Sequence, residues 1–478
     1  MLVAQRVAVG ICLALFAFGA IAAALALLAL ARNCCAYDPM MPVIVGSRLP
    51  GVTHLGQLFM AALGAWFIGF IGILYSVARA GISTSRPTLI WTLGLQLALC
   101  AAFAALPISI DADQYGYVGY AYAQANGNAY SPTPLSSDAP KSLREVVDRL
   151  RDPLVGFRYG PLWTLFNAAV LYPVIHRPLS VQTGVLRIVA IIASAILTLL
   201  LGATLGRGRP LAIVAAFSLN PLVTVEVANG AHNDIYVALC GVLVVWLLLR
   251  WHFASAGVAL GAGAAMKFVY LPLVVPLAAG IFVTRRRGTD VLLAACGFFA
   301  TLLFSAAPFG IRRALFDVPL ASMKLNPGGP LALAARLMKA HAPFASDASF
   351  VLLFVLLRDA LAVIAVLAIA AFALSLLRGR FNAATAVVTA LSLFLLTGKV
   401  EPWYAIMFVP LLLASRAGFY AFIGMTAGSA ALISAEFTRV FPVLAAIVIA
   451  ILASILAVAT ITLPQRGAAF QSDGSISG

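Results

Sequence analysis

Four groups of polar residues interrupt an otherwise apolar chain, and their side chains are of the types that take up protons or balance a phosphate. In the first group, Asp111 and Asp113 directly follow an apolar run and are accompanied by five tyrosines and three glycines within residues 110–130. A carboxylate can take the proton of a sugar hydroxyl, and rings such as those of Tyr115 and Tyr117 can stack on a sugar's C–H face. The alternative is an ordinary loop whose tyrosines form an aromatic belt at a membrane surface.

The second group is the sequence NGAHND, residues 229–234, which stands just before an apolar run. A His-x-Asp pair at the start of a helix, here His232 and Asp234, can bind an anion with the help of the helix dipole, polarise a phosphate or ligate a metal. The alternative is helix capping, in which Asn233 or Asp234 accepts hydrogen bonds from the first backbone N–H groups. One histidine with one or two neighbouring oxygen ligands is a poor metal site without further ligands.

The third and fourth groups each place a cation near apolar or aromatic residues. Lys267 stands alone between GAGAAM and FVYLPLVVP, where it either meets a lipid phosphate or extends its ammonium to the membrane surface. Residues 397–404 (TGKVEPWY) bring Glu401, Trp403 and Tyr404 together, and Pro402 suits the first turn of a helix. Belt residues at the membrane surface are the alternative for this group.

The composition determines which solvent must surround these groups. Hydrophobic residues make up 63% of the 478 residues and charged residues only 10%, with a mean hydropathy of +1.03. A soluble domain carries roughly 25% charged and about 45–50% apolar residues, so this chain has too little polar surface to cover a globule in water. The sequence therefore predicts an all-α membrane protein rather than a series of soluble domains.

The positive charge of the chain reports its orientation in the membrane. There are 31 Lys and Arg residues against 16 Asp and Glu, a formal net charge of +15. The basic residues cluster in short loops between apolar runs, for example at residues 285–287, which is how cytoplasmic loops of multispanning proteins are marked. We therefore expect membrane lipids, and not nucleic acid, as the partner that this charge implies.

The alternation of apolar runs and basic loops predicts a polytopic bundle of about 13–14 transmembrane helices with extracytoplasmic loops and short interfacial helices. We expect residues 1–464 to form a single integral membrane domain of the inner or plasma membrane. Residues 465–478 would then be a cytoplasmic tail, and both termini would be cytoplasmic. Two long outer loops are expected, at residues 107–161 and 308–348, and the first contains six of the 16 acidic residues.

Three local features of this topology are also expected. Residues 141–151 have apolar positions at helical spacing and predict an interfacial helix. Residues 162–175 are short and predict a re-entrant or interfacial piece, whereas residues 211–223 are expected to cross the membrane. Residues 254–266 and 268–283 are expected to form a hairpin of short helices with Lys267 at its outer tip.

The polar groups converge on one side of the membrane under this topology, although the assignment of spans did not use them. Polar side chains at or near membrane depth are costly unless they are paired or used, so their convergence indicates a functional site on the outer face. The residues placed there are Asp111, Asp113, His232, Asn233, Asp234, Lys267, Glu401, Trp403 and Tyr404.

Five passages together resemble the GT-C superfamily of polyprenyl-phosphate-sugar-dependent glycosyltransferases. The most similar members are the bacterial polyprenol-phosphate-mannose-dependent α-1,6-mannosyltransferases. The passages run in family order: DADQYGYVGYAYAQANGNAY (residues 111–130), RYGPL (158–162), LNPLVTVEVANGAHNDIYVAL (219–239), GVALGAGAAMK (257–267) and EPWYAIMFVPLLL (401–413). Three departures stand out: Ala129 replaces the usual proline, Asp111 adds a second carboxylate, and Glu401 has no match.

The resemblance implies a GT-C-type fold and an inverting transfer from a polyprenyl-phosphate sugar, mannose first, to a glycan or glycolipid acceptor on the extracytoplasmic face. Asp113 would be the base, with Asp111 the other candidate. The leaving phosphate would meet Lys267 and His232, with Arg158 as a further cation. Asn233 and Asp234 would orient the histidine or a sugar hydroxyl. Four aromatic residues would stack on the sugar or prenyl chain: Tyr115, Tyr117, Trp403 and Tyr404. Tyr159 and Glu401 are further candidates for substrate binding. No metal or other cofactor is implied.

Other functions remain open on the sequence alone. A flippase or transporter of a lipid-linked sugar would favour inverted repeats with broken helices in matching halves, and no such internal symmetry is visible in the sequence. A noncatalytic scaffold of a membrane complex would leave the outer Asp, His and Lys residues without a common pocket. Within the enzyme class, an arabinosyl or glucosyl donor is an alternative to mannose.

Overall fold

The chain folds into helices that run through nearly all of its described residues. The computed structural model describes residues 2–34, 50–106, 113–125, 159–205, 210–317, 347–379, 383–396, 402–414 and 416–438. In these ranges there is no β-strand, only an isolated antiparallel bridge between Ser83 and Pro210. The prediction of an all-α protein is confirmed.

The helices vary widely in length, from 33 residues to a single turn. The α-helices are Leu2–Cys34, Pro50–Arg79, Arg86–Ala104, Asp113–Ala125, Pro161–Leu171, Leu179–Leu205, Leu211–Ser218, Pro221–Ala228, Asp234–Leu248, Phe253–Met266, Val274–Arg285, Gly288–Ala306, Asp347–Leu377, Ala383–Leu396, Leu411–Ala414 and Arg416–Thr438. Short 3₁₀ helices at Tyr172–Val174, Phe268–Leu273, Ala307–Phe309 and Pro402–Phe408, and a π-helix at Arg313–Asp317, connect or extend them.

Several helices are long and apolar enough to cross a membrane, which supports the prediction of a polytopic membrane protein. Six such helices occur among the described residues, and a bent pair brings the number to seven if it counts as one span. The expected total of 13–14 spans includes segments outside the described residues, such as residues 439–464, and stays a prediction. The orientation of the termini and the side on which each loop lies stay predictions as well.

The expected span at residues 211–223 is not a straight helix. It consists of Leu211–Ser218 and Pro221–Ala228, which meet at an angle of 43°. Pro221 cannot continue a helix from the preceding turn because it lacks an N–H group. The side chain of Asn220 instead accepts a hydrogen bond from the Leu222 N–H at 3.0 Å and starts the second half. The break places the polar residues that follow in the interior of the bundle.

Two other segments also differ from expectation, whereas a third agrees. Residues 113–125 form a helix inside what was expected to be a polar loop. The second arm of the Lys267 hairpin is longer than expected, because Phe268–Arg285 reaches the length of a span. Residues 162–175 form only the short helix Pro161–Leu171 and a 3₁₀ turn, in keeping with a piece that does not cross. The expected helix at residues 141–151 and most of the outer loop at 308–348 lie outside the described residues.

The first two helices pack closely because glycines face each other's backbone. A Cβ atom on Gly69 would stand 2.3 Å from the backbone nitrogen of Phe16, and one on Gly19 would stand 2.4 Å from that of Trp66. Small residues allow such approach in membranes, where helices associate by packing and not by exclusion of water. The buried Trp66 ring then packs edge-on against Phe16 and stacks on Phe103, which fixes the third helix against this pair.

Polar side chains join two further spans. Gln96 on Arg86–Ala104 donates to the hydroxyl of Ser194 at 2.7 Å and accepts from the hydroxyl of Thr198 at 2.7 Å. All three side chains are buried, so they satisfy each other's hydrogen-bonding groups, which lipid could not do. The helix Leu179–Leu205 is thereby held beside the third helix, and it carries an arginine that reaches the candidate site.

We predict that Gly69→Ala destabilises the protein, whereas Gly64→Ala in the same helix does not. The added methyl group at position 69 meets backbone atoms that cannot yield, and such overpacking typically costs about 1–3 kcal/mol. Position 64 has no atom within 4 Å of the added Cβ. Thermal unfolding of both variants in the same detergent tests this, and equal midpoints would contradict the close packing of the two helices.

Candidate functional site

Four segments that are distant in the chain meet at one polar cluster. They are the start of Asp113–Ala125, the turn at residues 229–234, the turn at Lys267, and Tyr404 in Pro402–Phe408. Residues from all four groups identified in the sequence therefore share a single site, and Tyr404 represents the fourth group. The noncatalytic-scaffold alternative, which leaves these residues without a common pocket, is not favoured by this arrangement.

A buried arginine positions the start of the Asp113 helix. Arg187 on Leu179–Leu205 donates to the backbone carbonyls of Ala104 and Leu106, at 2.7 Å each, and to the side-chain oxygen of Gln114 at 3.4 Å. The carbonyls at the end of a helix have no intrahelical partner, so the guanidinium satisfies them. It also ties the end of the third helix to the beginning of the next one.

Gln114 then links this helix to the NGAHND turn. Its amide nitrogen donates to the backbone carbonyl of Asn229, whose own side chain donates to the carbonyls of Phe103 and Leu106 at 3.2 and 3.4 Å. The two carboxamides and the guanidinium of Arg187 form one buried network. Asp113, which precedes Gln114 in the chain, and His232, three residues after Asn229, are thereby brought together, with Nδ1 of His232 3.6 Å from Oδ2 of Asp113.

The turn at residues 229–234 has an unusual backbone. Ala231 adopts a φ of 49°, a left-handed conformation that few non-glycine residues take. The helix that follows begins at Asp234, but the side chain of Asn233 makes no capping hydrogen bond. It is buried, and neither its amide oxygen nor its nitrogen has a hydrogen-bond partner within the described part of the chain. The capping alternative for Asn233 is therefore wrong, and its side chain remains available to a ligand.

His232 lies between two carboxylates. Its Nδ1 atom is 3.6 Å from Oδ2 of Asp113, and its Nε2 atom is 3.1 Å from Oε2 of Glu226. The side chains of His232 and Glu226 have no exposed surface. The expectation that His232 itself meets a leaving phosphate is not supported by this geometry, because the imidazole lies behind Asp113.

Lys267 is engaged by a carboxylate and by an aromatic ring. Its ammonium donates to Oδ1 of Asp234 at 2.7 Å and lies 3.5 Å from the centre of the Tyr404 ring. The ring face is electron-rich and attracts a cation. Asp234 was expected to orient the histidine or a sugar hydroxyl, but in the structure it pairs with Lys267.

The turn that carries Lys267 is anchored to the Tyr-Gly-Pro segment. The N–H of Gly160 donates to the carbonyl of Met266 at 3.1 Å. A Cβ atom on Gly160 would stand only 2.0 Å from the carbonyl oxygen of Ala265. Glycine is thus required for this approach, which places Tyr159 beside the cluster.

Tyr159 and Tyr117 pack next to Asp113 and the NGAHND turn. The hydroxyl of Tyr159 donates to Oδ2 of Asp113 at 3.0 Å, and its ring packs edge-on against Tyr117. The hydroxyl of Tyr117 accepts from the backbone N–H of Asn233 at 3.4 Å. Burial, and then the charge of Asp113, raise the pKa of both hydroxyls well above its ordinary value, so both keep their protons.

The burial of the first-group tyrosines decides between the two explanations offered for them. Tyr115 and Tyr117 are among the largest fully buried side chains of the protein. Residues inside the bundle cannot form a belt at the membrane surface, and their burial does not favour direct stacking on a substrate either. Tyr117 instead contacts the backbone N–H of Asn233 and the ring of Tyr159, whose hydroxyl bonds to Asp113.

Among the charged side chains of this cluster that the structure describes, two reach the accessible surface. Asp113 exposes 30% of its side chain and Lys267 exposes 13%, whereas His232, Asp234 and Glu226 expose none. A solvent-borne or lipid-borne ligand can therefore meet a carboxylate and an ammonium of opposite charge. The buried groups behind them set the orientation and charge of these two.

Several predicted site residues are not placed by the structure. Asp111, Arg158 and Glu401 lie outside the described residues, as does the side chain of Trp403, whose backbone belongs to the 3₁₀ helix Pro402–Phe408. The choice of Asp113 over Asp111 as the base thus stays a prediction. Pro402 begins a 3₁₀ helix and not the α-helix that a proline at a first turn usually opens.

Three buried polar residues of this region were missed in the sequence. Glu226, Arg187 and Gln114 are all buried and contact either a predicted site residue or its neighbours. A single charged residue within an apolar run, as in LVTVEVAN, is the signal that identifies Glu226. In the part of the chain that the structure describes, no three His, Cys, Asp or Glu side chains form a group that could hold a metal ion.

Comparison of the chain with models of protein families, with curated proteins and with solved structures finds no match in any of the three. The resemblance to the GT-C superfamily therefore stays a prediction that rests on the short motifs and their order.

We predict that Lys267→Met strongly destabilises the protein because it leaves the charge of Asp234 buried without a partner. Breaking a buried ion pair typically costs about 3–5 kcal/mol. The double variant Asp234→Asn with Lys267→Met should recover most of this loss. The measurement is the free energy of unfolding from denaturant titration in detergent.

The pair of Arg285 and Asp290 provides the matched control. Its atoms are 3.5 Å apart, but Arg285 is 38% exposed, and exposed pairs contribute only about 0–1 kcal/mol. If Arg285→Gln and Lys267→Met lower the free energy of unfolding by the same amount, the buried pair does not stabilise the protein as proposed.

Proposed function

We propose that this chain is a glycosyltransferase that moves a sugar, mannose first, from polyprenyl phosphate to a glycan or glycolipid acceptor on the extracytoplasmic face. One observation carries the proposal: an accessible carboxylate and an accessible ammonium, Asp113 and Lys267, belong to one cluster whose other charged side chains are buried. Inverting transfer needs a base on the acceptor side and positive charge on the leaving-group side. The order of the five motifs in the sequence supports the same proposal.

Asp113 would act as the base. Its carboxylate takes the acceptor hydroxyl proton as that oxygen attacks the anomeric carbon, and the bond from this carbon to the phosphate oxygen breaks. The hydroxyl of Tyr159 donates to Oδ2 of this carboxylate at 3.0 Å and thereby helps to fix its orientation. Because the attack comes from the side opposite the phosphate, a β-linked donor yields an α-linked product.

Lys267 would stabilise the phosphate as its negative charge develops. Its ammonium already interacts with Asp234, so a bound phosphate has to share this cation and not take it over. A second positive charge is needed for a full balance, and Arg158, which directly precedes Tyr159 in the chain, would supply it. The unpartnered amide of Asn233 would donate to a sugar hydroxyl or to a phosphate oxygen.

We predict that Asp113→Asn abolishes transfer without loss of the folded state. General-base catalysis contributes roughly 10²–10⁴ in rate, and the asparagine has nearly the same shape as the aspartate. The measurement is single-turnover transfer by purified protein with a polyprenyl-phosphate sugar. Asp290→Asn, which neutralises a partly exposed carboxylate outside this cluster, is the matched control and should keep wild-type turnover. Near-normal turnover by Asp113→Asn would show that Asp113 is not the base.

We predict that mannose is the preferred sugar in a panel of polyprenyl-phosphate donors that also contains arabinose and glucose, with α-linkage in the product. Linkage analysis of the product is the decisive measurement. Preference for another sugar would change the donor but keep the enzyme class. Movement of a labelled lipid-linked sugar across the membrane of proteoliposomes, without any glycosidic product, would instead support a flippase.

A further inference from the structure

Glu226 is a carboxylate inside the bundle that the proposed reaction does not yet use. It lies on the half-helix Pro221–Ala228, every residue of which is buried, and its own side chain has no exposed surface. Oε2 is 3.1 Å from Nε2 of His232, and within the described residues no other group forms a hydrogen bond with either carboxylate oxygen. The imidazole is thus the polar group that this carboxylate faces.

Stability alone gives no reason for a carboxylate at this place. Removing a charge from water is costly, and apolar side chains of similar size usually serve a buried position as well or better. The surrounding residues of the half-helix, such as Val225 and Val227, are apolar and completely buried. A glutamate here is therefore expected to act on the group that it contacts.

The adjacent turn leaves room for the imidazole beside Glu226. A Cβ atom on Gly230 would stand 2.4 Å from Cδ2 and 2.5 Å from Nε2 of His232. The absence of a side chain at Gly230 thus lets the ring lie flat over the turn, with Nε2 towards Glu226. The opposite nitrogen, Nδ1, consequently points towards Asp113 at 3.6 Å.

We propose that Glu226 is a positioning residue: it accepts the Nε2 proton of His232 and thereby presents the lone pair of Nδ1 to Asp113. When Asp113 takes the acceptor proton, it can pass that proton to Nδ1. Asp113 then regains its negative charge, and the resulting imidazolium lies between two carboxylates. No other reactant is needed, since the proton moves from hydroxyl to carboxylate to imidazole. The effect of Glu226 on rate rests on the proposed function, but its effect on His232 does not.

The first test is the tautomer of His232 in the absence of substrate. The full-length protein, labelled with ¹⁵N-histidine, is studied by NMR in detergent at a pH where the ring is neutral, and His232→Gln assigns the signal. We expect the proton on Nε2 in the wild type and its transfer to Nδ1 in Glu226→Leu, because Asp113 is then the remaining acceptor. The exposed histidines His176 and His252 serve as internal references.

Two further variants keep the test decisive even if Glu226→Leu misfolds. Gly230→Ala keeps the carboxylate of Glu226, but its added methyl group would stand 2.5 Å from Nε2 of His232 and 2.7 Å from the Glu226 carbonyl oxygen. It should therefore separate the ring from the carboxylate and also lose the fixed Nε2 proton. Thr224→Val removes a buried hydroxyl from the same half-helix, which donates to the backbone carbonyl of Asn220 at 3.1 Å, and should leave the tautomer unchanged. An identical His232 spectrum in the wild type, Glu226→Leu and Gly230→Ala would overturn the proposal.

The second test is kinetic. Glu226→Gln keeps an oxygen acceptor but removes the charge that stabilises the imidazolium. We expect kcat to fall roughly 10- to 100-fold, as when a metal-ligating histidine loses its carboxylate partner, with little change in KM. Thr224→Val should keep both constants. Unchanged kcat in Glu226→Gln would overturn the role of the carboxylate in the reaction. Altered tautomers together with no transferase activity in the wild type would instead reject the proposed function and retain the contact.

Discussion

The charge of Asp234 has no access to water, and the ammonium of Lys267 at 2.7 Å is what balances it. This ion pair constrains the segments around it, because neither partner can move away without leaving the other buried and uncompensated. Gly160 holds the Lys267 turn from one side, and the ring of Tyr404 covers the ammonium from another. These contacts together fix the position of the cation of the site.

A second constraint is the absence of water within the bundle. Backbone groups freed at a helix end have to find partners among side chains, and Arg187 and Asn229 do this for the carbonyls of Leu106 and its neighbours. The same residues reach the Asp113 helix through Gln114. One network thus satisfies the backbone carbonyls at the end of the third helix and also aligns the candidate base.

The sequence was informative about elements and about residue types, but less so about contacts. Composition and run length are sufficient to predict an all-α membrane protein, and the motif order placed Asp113, His232 and Lys267 in one site. The bend at Asn220 and Pro221 was missed because a 13-residue apolar run has the same composition whether straight or broken. Glu226 and Arg187 were missed since their importance depends on neighbours from distant segments, which spacing along one helix does not reveal.

The separation of the site residues along the chain determines the order in which the site can form during synthesis. Asp234 and Lys267 are only 33 residues apart, so their ion pair can close as soon as one helical hairpin has left the ribosome and entered the membrane. The lysine can thus be paired before the later helices are made, and a paired lysine within the membrane is less costly than an isolated one. Tyr404 is translated much later, so the aromatic cover of the ammonium is among the last parts of the site to be added.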